Sequence, residues 1–171
     1  SQDGLRFRAS SPAIINGLLY LASEKAFFIM DAKTGDIIVR KDLSYGVDGT
    51  STPVITENEI IFGTSTAGLV ALDRNTLDEK WHCSIGKALV YTSSYTRPDS
   101  QTIETSPVIV GNTIFVGASD GYLYAIDKNK GSITAKYNLG APVFSSVSFS
   151  GNTLFVSDFG GNVYAFCMKR K

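Results

Sequence analysis

The sequence predicts an all-β fold: a β-propeller of four tandem four-stranded antiparallel blades. Three observations predict it. A unit of three short strands and two tight turns recurs four times. Several strands are apolar on both faces. No stretch carries a helical apolar period that would cover them, so neighbouring sheets must cover one another.

The clearest copy is Thr105 to Asp127, TSPVIVGNTIFVGASDGYLYAID. Ser106–Val110 reads as a strand turned by Gly111-Asn112, and Thr113–Gly117 as a strand turned by Ser119-Asp120-Gly121. Tyr122–Ile126 is the third strand, closed by Asp127. The first copy starts at Ser11 and ends its third strand at Asp31; the second starts at Ser51 and ends at Asp73. The fourth, SSVSFSGNTLFVSDFGGNVYAFC, has Cys167 where the others have Asp. Pro12, Pro53 and Pro107 align, with Val147 in that place in the last copy. The first copy is one residue shorter, at its second turn, Glu24-Lys25. With their connections the repeats span about 11–42, 51–86, 104–140 and 144–168 within a single domain, 1–171.

After each Asp comes a turn and a more polar fourth strand: Asp36–Arg40, Leu77–Trp81 and Ser132–Tyr137. An Asp opening such a turn accepts hydrogen bonds from amides two and three residues on. Gly35 and Gly131 suit the left-handed position that closes the hairpin. The alternative, carboxylates gathered for calcium or catalysis, would need these Asp residues to converge, whereas the repeat sets each at its own corner. Charge on the fourth strands (Asp78, Glu79, Lys80, Lys136) suits an outer rim and discourages edge pairing. The last copy stops after three strands, and Leu5-Arg6-Phe7-Arg8, within residues 5–9, is the candidate closing strand. The four units read as a closed small ring, a half-ring that dimerises, or a fragment of a larger propeller.

Composition narrows the function. Hydrophobic residues make up 43% and charged residues 19%, and the formal net charge is zero, which argues against nucleic acid as a partner. No apolar run approaches the roughly 20 residues of a membrane span. No signal peptide pattern opens the sequence. Cys83 and Cys167 form no CxxC pair, and His82 is the single histidine, so no metal site, redox motif or triad is indicated.

One segment departs from the repeat. The link at residues 87–104 is far longer than its counterparts and crosses one face of the ring. Its Tyr91, Tyr95 and Arg97 are residue types that dominate binding hot spots. They are the candidate contacts for a protein or small ligand on that face; a decorative surface loop is the plainer reading.

The repeat resembles that of the pyrroloquinoline-quinone-type propeller family over most of the chain, from about Leu5 to Ala165. That family carries a Trp in the fourth strand that docks between blades. Trp81 matches it, while Arg40 or Val39 and Tyr137 stand near the equivalent positions. Members include quinone-dependent dehydrogenases, an outer-membrane assembly lipoprotein, luminal stress sensors and propellers joined to calcineurin-like phosphoesterases. The segment from Trp81 to Ile109 is most similar to the last group. The quinone enzymes share an adjacent-cysteine disulfide, a stacking Trp and a calcium site, and this chain has no adjacent cysteines. Phosphoesterase chemistry needs several His and Asp ligands, and only His82 is present.

The resemblance therefore implies a non-catalytic binding or scaffolding module without cofactor or metal. It would be the accessory C-terminal part of a larger secreted or periplasmic phosphoesterase. The alternative is a fragment of a quinone-dependent oxidoreductase. A homodimer of half-rings is one form of partner.

Overall fold

A computed structural model describes residues 11–47, 51–90 and 99–168. Fifteen strands form four antiparallel sheets, and no helix occurs among the described residues. Blade 1 is β1 (Ala13–Ile15), β2 (Leu18–Ser23), β3 (Ala26–Asp31) and β4 (Ile37–Asp42). Blade 2 is β5 (Val54–Ile55), β6 (Glu59–Gly63), β7 (Leu69–Asp73) and β8 (Glu79–Cys83). Blade 3 is β9 (Val108–Val110), β10 (Thr113–Gly117), β11 (Tyr122–Asp127) and β12 (Ile133–Asn138). Blade 4 is β13 (Ser148–Ser150), β14 (Thr153–Ser157) and β15 (Val163–Cys167). Each sheet runs in simple sequence order. The fourth strand expected for blade 4 falls on residues 5–9, outside the described residues.

Doubly apolar strands end up between sheets. The face of β2 and β3 with Tyr20, Ala22, Phe27 and Ile29 packs on Ile60, Phe62, Val70 and Leu72 of blade 2. The opposite face of blade 2 (Ile61, Leu69, Ala71) packs on Ile114, Val116, Tyr124 and Ile126. Phe115, Leu123 and Ala125 then meet Leu154 and Val156 of blade 4. Each middle sheet thus buries both faces, which is why its strands do not alternate. Among the described residues no apolar cluster joins blade 4 to blade 1. The far face of blade 4 leaves Phe155 and Val163 exposed at 39% and 75%.

The innermost strands are shorter than the sequence suggests. β9 begins at Val108, not Ser106, because Pro107 has no amide to give to the ladder. The outer strands begin one or two residues late. Asp31 Oδ1 accepts from the amides of Lys33 and Thr34, Asp73 Oδ1 from Asn75 and Thr76, and Asp127 Oδ1 from Asn129 and Lys130. These bonds hold the corners, as expected of turn-building Asp residues. Gly35 and Gly131 take positive φ there, at 79° and 66°, and Leu77 takes the same conformation at 59°.

A leucine in that region costs about 1–2 kcal/mol. Its side chain is 3% exposed in the blade 1–blade 2 core, and such burial returns a similar amount. Each corner is followed by a bulge in the same place, at Ile29/Met30, Ala71/Leu72 and Ala125/Ile126.

The registers also correct the placing of the docking residue. Ile29 pairs with Val39, Ala71 with Trp81 and Ala125 with Ala135. Val39 and Ala135 therefore stand where Trp81 does. Arg40 pairs with Phe28 and Tyr137 with Leu123, so neither is at that position.

Candidate binding face

Each blade presents its second turn and its link to the next blade on one face; the Asp corners lie on the other. The links are held against this face by close packing. The amide of Val47 donates to the Glu24 carbonyl, that of Ile103 to Thr64 and that of Val143 to Ala118. A Cβ on Gly63 would stand 2.4 Å from the Ile103 carbonyl oxygen, and one on Gly117 would stand 2.2 Å from Val143 Cγ1. Only a hydrogen at those positions lets the links pass.

Hydroxyls just ahead of the inner strands of blades 2, 3 and 4 tie these blades together. Thr52 N donates to Ser106 Oγ and Ser106 N to Ser146 Oγ. Within a blade, Gly63 N donates to Ser51 Oγ, Thr105 Oγ1 to the Gly117 carbonyl and Ser145 Oγ to the Ser157 carbonyl. The paired Ser/Thr residues at the start of the second, third and fourth repeats therefore act as braces.

The long link is anchored at both ends. Ala88 N donates to the Ser100 carbonyl, and Lys87 pairs with Asp99. Leu89 N donates to Ser119, while Gly68 N takes the Gln101 carbonyl. Ile103 and Thr102 are buried at 0% and 1%. Tyr91, Tyr95 and Arg97 lie outside the described residues.

Two tyrosine–carboxylate pairs sit beneath this face. Asp120 accepts from the Tyr124 hydroxyl and from the amides of Gly86 and Tyr122. Burial, and then the bond to Asp120, push the Tyr124 hydroxyl well above the usual tyrosine range. In blade 4, Asp158 accepts from the Asn162 side chain and amide and from the Tyr164 hydroxyl. The Asn162 bonds hold its carboxyl below the usual range. Both carboxylates fix a turn to a strand.

Other reactive groups are scattered. Burial pushes the Cys83 thiol up to about 11. His82 bonds its neighbour Glu79 on the outer strand of blade 2. Among the described residues, no three His, Cys, Asp or Glu side chains come together in a way that could hold a metal ion.

What the face does present is an apolar ridge. Leu89 is 57% exposed and Phe159 71% exposed. Leu89 packs over Gly121, Gly121 and Gly160 both abut Ala141, and Phe144 meets Phe159 edge-on at 5.4 Å. These residues come from the long link, the second turns of blades 3 and 4 and the link between those blades. Sequence reading missed Phe159. Its signal is an aromatic residue in the second turn, where the matching residues of blades 2 and 3 are Ser65 and Ser119.

Comparison with known proteins gives consistent matches. The family model described as outer membrane protein assembly factor BamB matches residues 4–166. BamB of Moranella endobia is 25% identical over 158 residues, and BamB of Salmonella typhimurium is 24% identical over 163 residues. Each match covers 91% of this chain and 36% of the relative, so the chain spans about a third of the length of these proteins.

Among solved structures, the computationally designed Ika4 protein superposes with a TM-score of 0.70 at 15% identity, over 99% of this chain and 96% of its own. BamB from Moraxella catarrhalis gives 0.65 at 22%, over 93% and 43%. Quinohemoprotein alcohol dehydrogenase from Comamonas testosteroni gives 0.66 at 17%, over 88% and 29%. At these identities the structures show the fold alone.

Proposed function

We propose a function from one premise: this chain belongs to the family of the outer membrane protein assembly factor BamB, whose model its residues 4–166 match. The chain is a propeller binding and scaffolding module. Its partner is a protein of outer membrane assembly, held in the periplasm on the face that the long link crosses. The exposed ridge of Leu89 and Phe159 carries this reading. A solvated apolar ridge framed by anchored links and polar turns is what a protein contact requires. Tyr91, Tyr95 and Arg97 of the same link are the further residues proposed to take part, from their residue types.

None of the relatives and structures named above supports a phosphoesterase connection. The quinohemoprotein likeness is one of fold.

Site-specific photo-crosslinking in the full-length protein in its own cells tests the reading. A photoreactive phenylalanine analogue at Phe159 or Tyr95 is expected to give a discrete protein adduct, and one at Asn129, on the opposite face, none. Adducts at neither Phe159 nor Tyr95 would overturn the proposed face. Added pyrroloquinoline quinone and calcium are expected to leave the absorbance spectrum equal to the sum of the parts; a bound-quinone spectrum would restore the oxidoreductase reading.

A further inference from the structure

Blades 1, 3 and 4 each join their first two strands by a two-residue turn of glycine and asparagine, and the order of the two differs. Ile15 pairs with Leu18 across Asn16-Gly17, Val110 with Thr113 across Gly111-Asn112, and Ser150 with Thr153 across Gly151-Asn152. Asn16 and Gly17 both take positive φ, 52° and 77°, as in the type I′ turn that favours Asn-Gly. In the other two turns the glycine leads, with φ of 60° and 61°, and the asparagine is followed by threonine. Asn16-Gly17 is the one Asn-Gly step in the sequence.

The order decides what the asparagine amide reaches. Asn112 Nδ2 donates to Asp127 Oδ2 at 3.3 Å, and Asn152 Nδ2 donates to the Met168 carbonyl. Each of these side chains is tied to the end of its blade's third strand. Asn16 is exposed, and its side chain makes no hydrogen bond among the described residues. The Gly17 carbonyl accepts from Ala32 N at 2.8 Å, while the Gly17 amide donates to no described residue. An added Cβ on Gly17 would meet no atom within 4 Å, so the space beside its nitrogen is open.

We propose that Asn16 is a modification site, where the chain converts without an enzyme to isoaspartate. The Gly17 main-chain nitrogen attacks Asn16 Cγ and forms a C–N bond. The Cγ–Nδ2 bond breaks, and the side-chain nitrogen leaves as ammonia with the proton lost from the glycine nitrogen. Water then opens the cyclic imide. Addition at one carbonyl yields aspartate; addition at the other yields isoaspartate, whose main chain runs through the side-chain carbon. Glycine permits the attack because no side chain crowds its nitrogen, whereas Thr113 and Thr153 place a branched Cβ beside theirs. The attack needs the turn to open. β1 is three residues long, lies at the sheet edge and pairs with β2 alone, so this opening falls at the low end of local stability.

Isoaspartate lengthens the main chain by one carbon in a turn that has no slack. Ile15 then no longer faces Leu18, and the displaced β1 draws Ala13 and Ile15 off the blade 1–blade 2 core. The bond from Ala32 N to Gly17, which ties the turn to the Asp31 corner, is disturbed with it. Conversion therefore frays the inner edge of blade 1 and leaves blades 3 and 4 as they were. The site uses no residue of the Leu89–Phe159 ridge and does not depend on it.

Ageing the intact protein at 37 °C in mildly alkaline buffer, with peptide mapping of aspartate and isoaspartate, tests the site. Asn16 should convert about tenfold faster than Asn112 and Asn152, and within about a hundredfold of a synthetic peptide of residues 11–22. A smaller lead over the other two asparagines, or stronger protection relative to the peptide, would overturn the site. Gly17→Ala, read in the peptide as well as the protein, should slow conversion at Asn16 about tenfold; unslowed conversion would overturn the attack by the glycine nitrogen. Aged protein should unfold at lower urea than fresh protein. Asn16→Asp brings the new charge without the added carbon and should keep the fresh midpoint. A drop in Asn16→Asp equal to that on ageing would assign the loss to charge and overturn the displacement of β1.

Discussion

The seam between blades 2 and 3 and the seam between blades 3 and 4 are built from the same repeat and end differently. The inner halves match: Ile61, Leu69 and Ala71 meet Ile114 and Val116, and Phe115, Leu123 and Ala125 meet Leu154 and Val156. At the outer rim the register position that Trp81 holds in the first is held by Ala135 in the second. The first seam is locked at the rim by an indole on a glycine, and the second opens into a groove. Inner apolar strands suffice to stack blades; the rim residue decides whether a seam is structural or accessible.

Removing the lock should have the largest effect. Trp81→Ala is expected to destabilise by about 3 kcal/mol, read from urea unfolding. An unchanged midpoint would mean that the inner halves alone set the strength of a seam. Gly131→Ala should follow at about 2 kcal/mol, because its Cβ would meet the Trp81 ring and its φ is +66°. The double variant should cost less than the sum of the two, since the Cβ clash vanishes with the ring.

The smallest effect is shared by the corners. Asp31 and Asp73 have carboxyls held below their ordinary 3.8, chiefly by the amides of Thr34 and Thr76 respectively. A depressed folded value means that the stabilisation is present above 3.8 and is lost as pH falls through the folded value. The urea midpoint should therefore drop more between pH 5 and pH 3 in the natural protein than in Asp31→Asn/Asp73→Asn. Equal drops would remove these corners from the acid response.

Much of the fold was legible because the repeat is local chemistry written four times. Leu18–Leu21 and Phe27–Met30 had to be covered on both faces, and without helices only another sheet could do it. Asp31, Asp73 and Asp127 announced their corners through hydrogen bonds that reach two or three residues. The bulges before Trp81 and Ala135 were not legible. A bulge is a choice of register between strands, and the intervening Lys80 and Thr134 do not mark it. Leu77 was missed for a related reason: its strain is tolerated only because a neighbouring blade buries its side chain.

The candidate site was legible in outline and not in detail. Length alone marked the link at 87–104. The ridge of Leu89 and Phe159 joins segments seventy positions apart in the chain, and no local pattern predicts that they share a face. The sequence by itself determined the repeat, its turns and the stacking of sheets, because those follow from hydrogen bonding and burial within about twenty residues. Only the tertiary structure decided which seam is locked, which is open and which apolar side chains stay in water, because each depends on what the next blade places opposite.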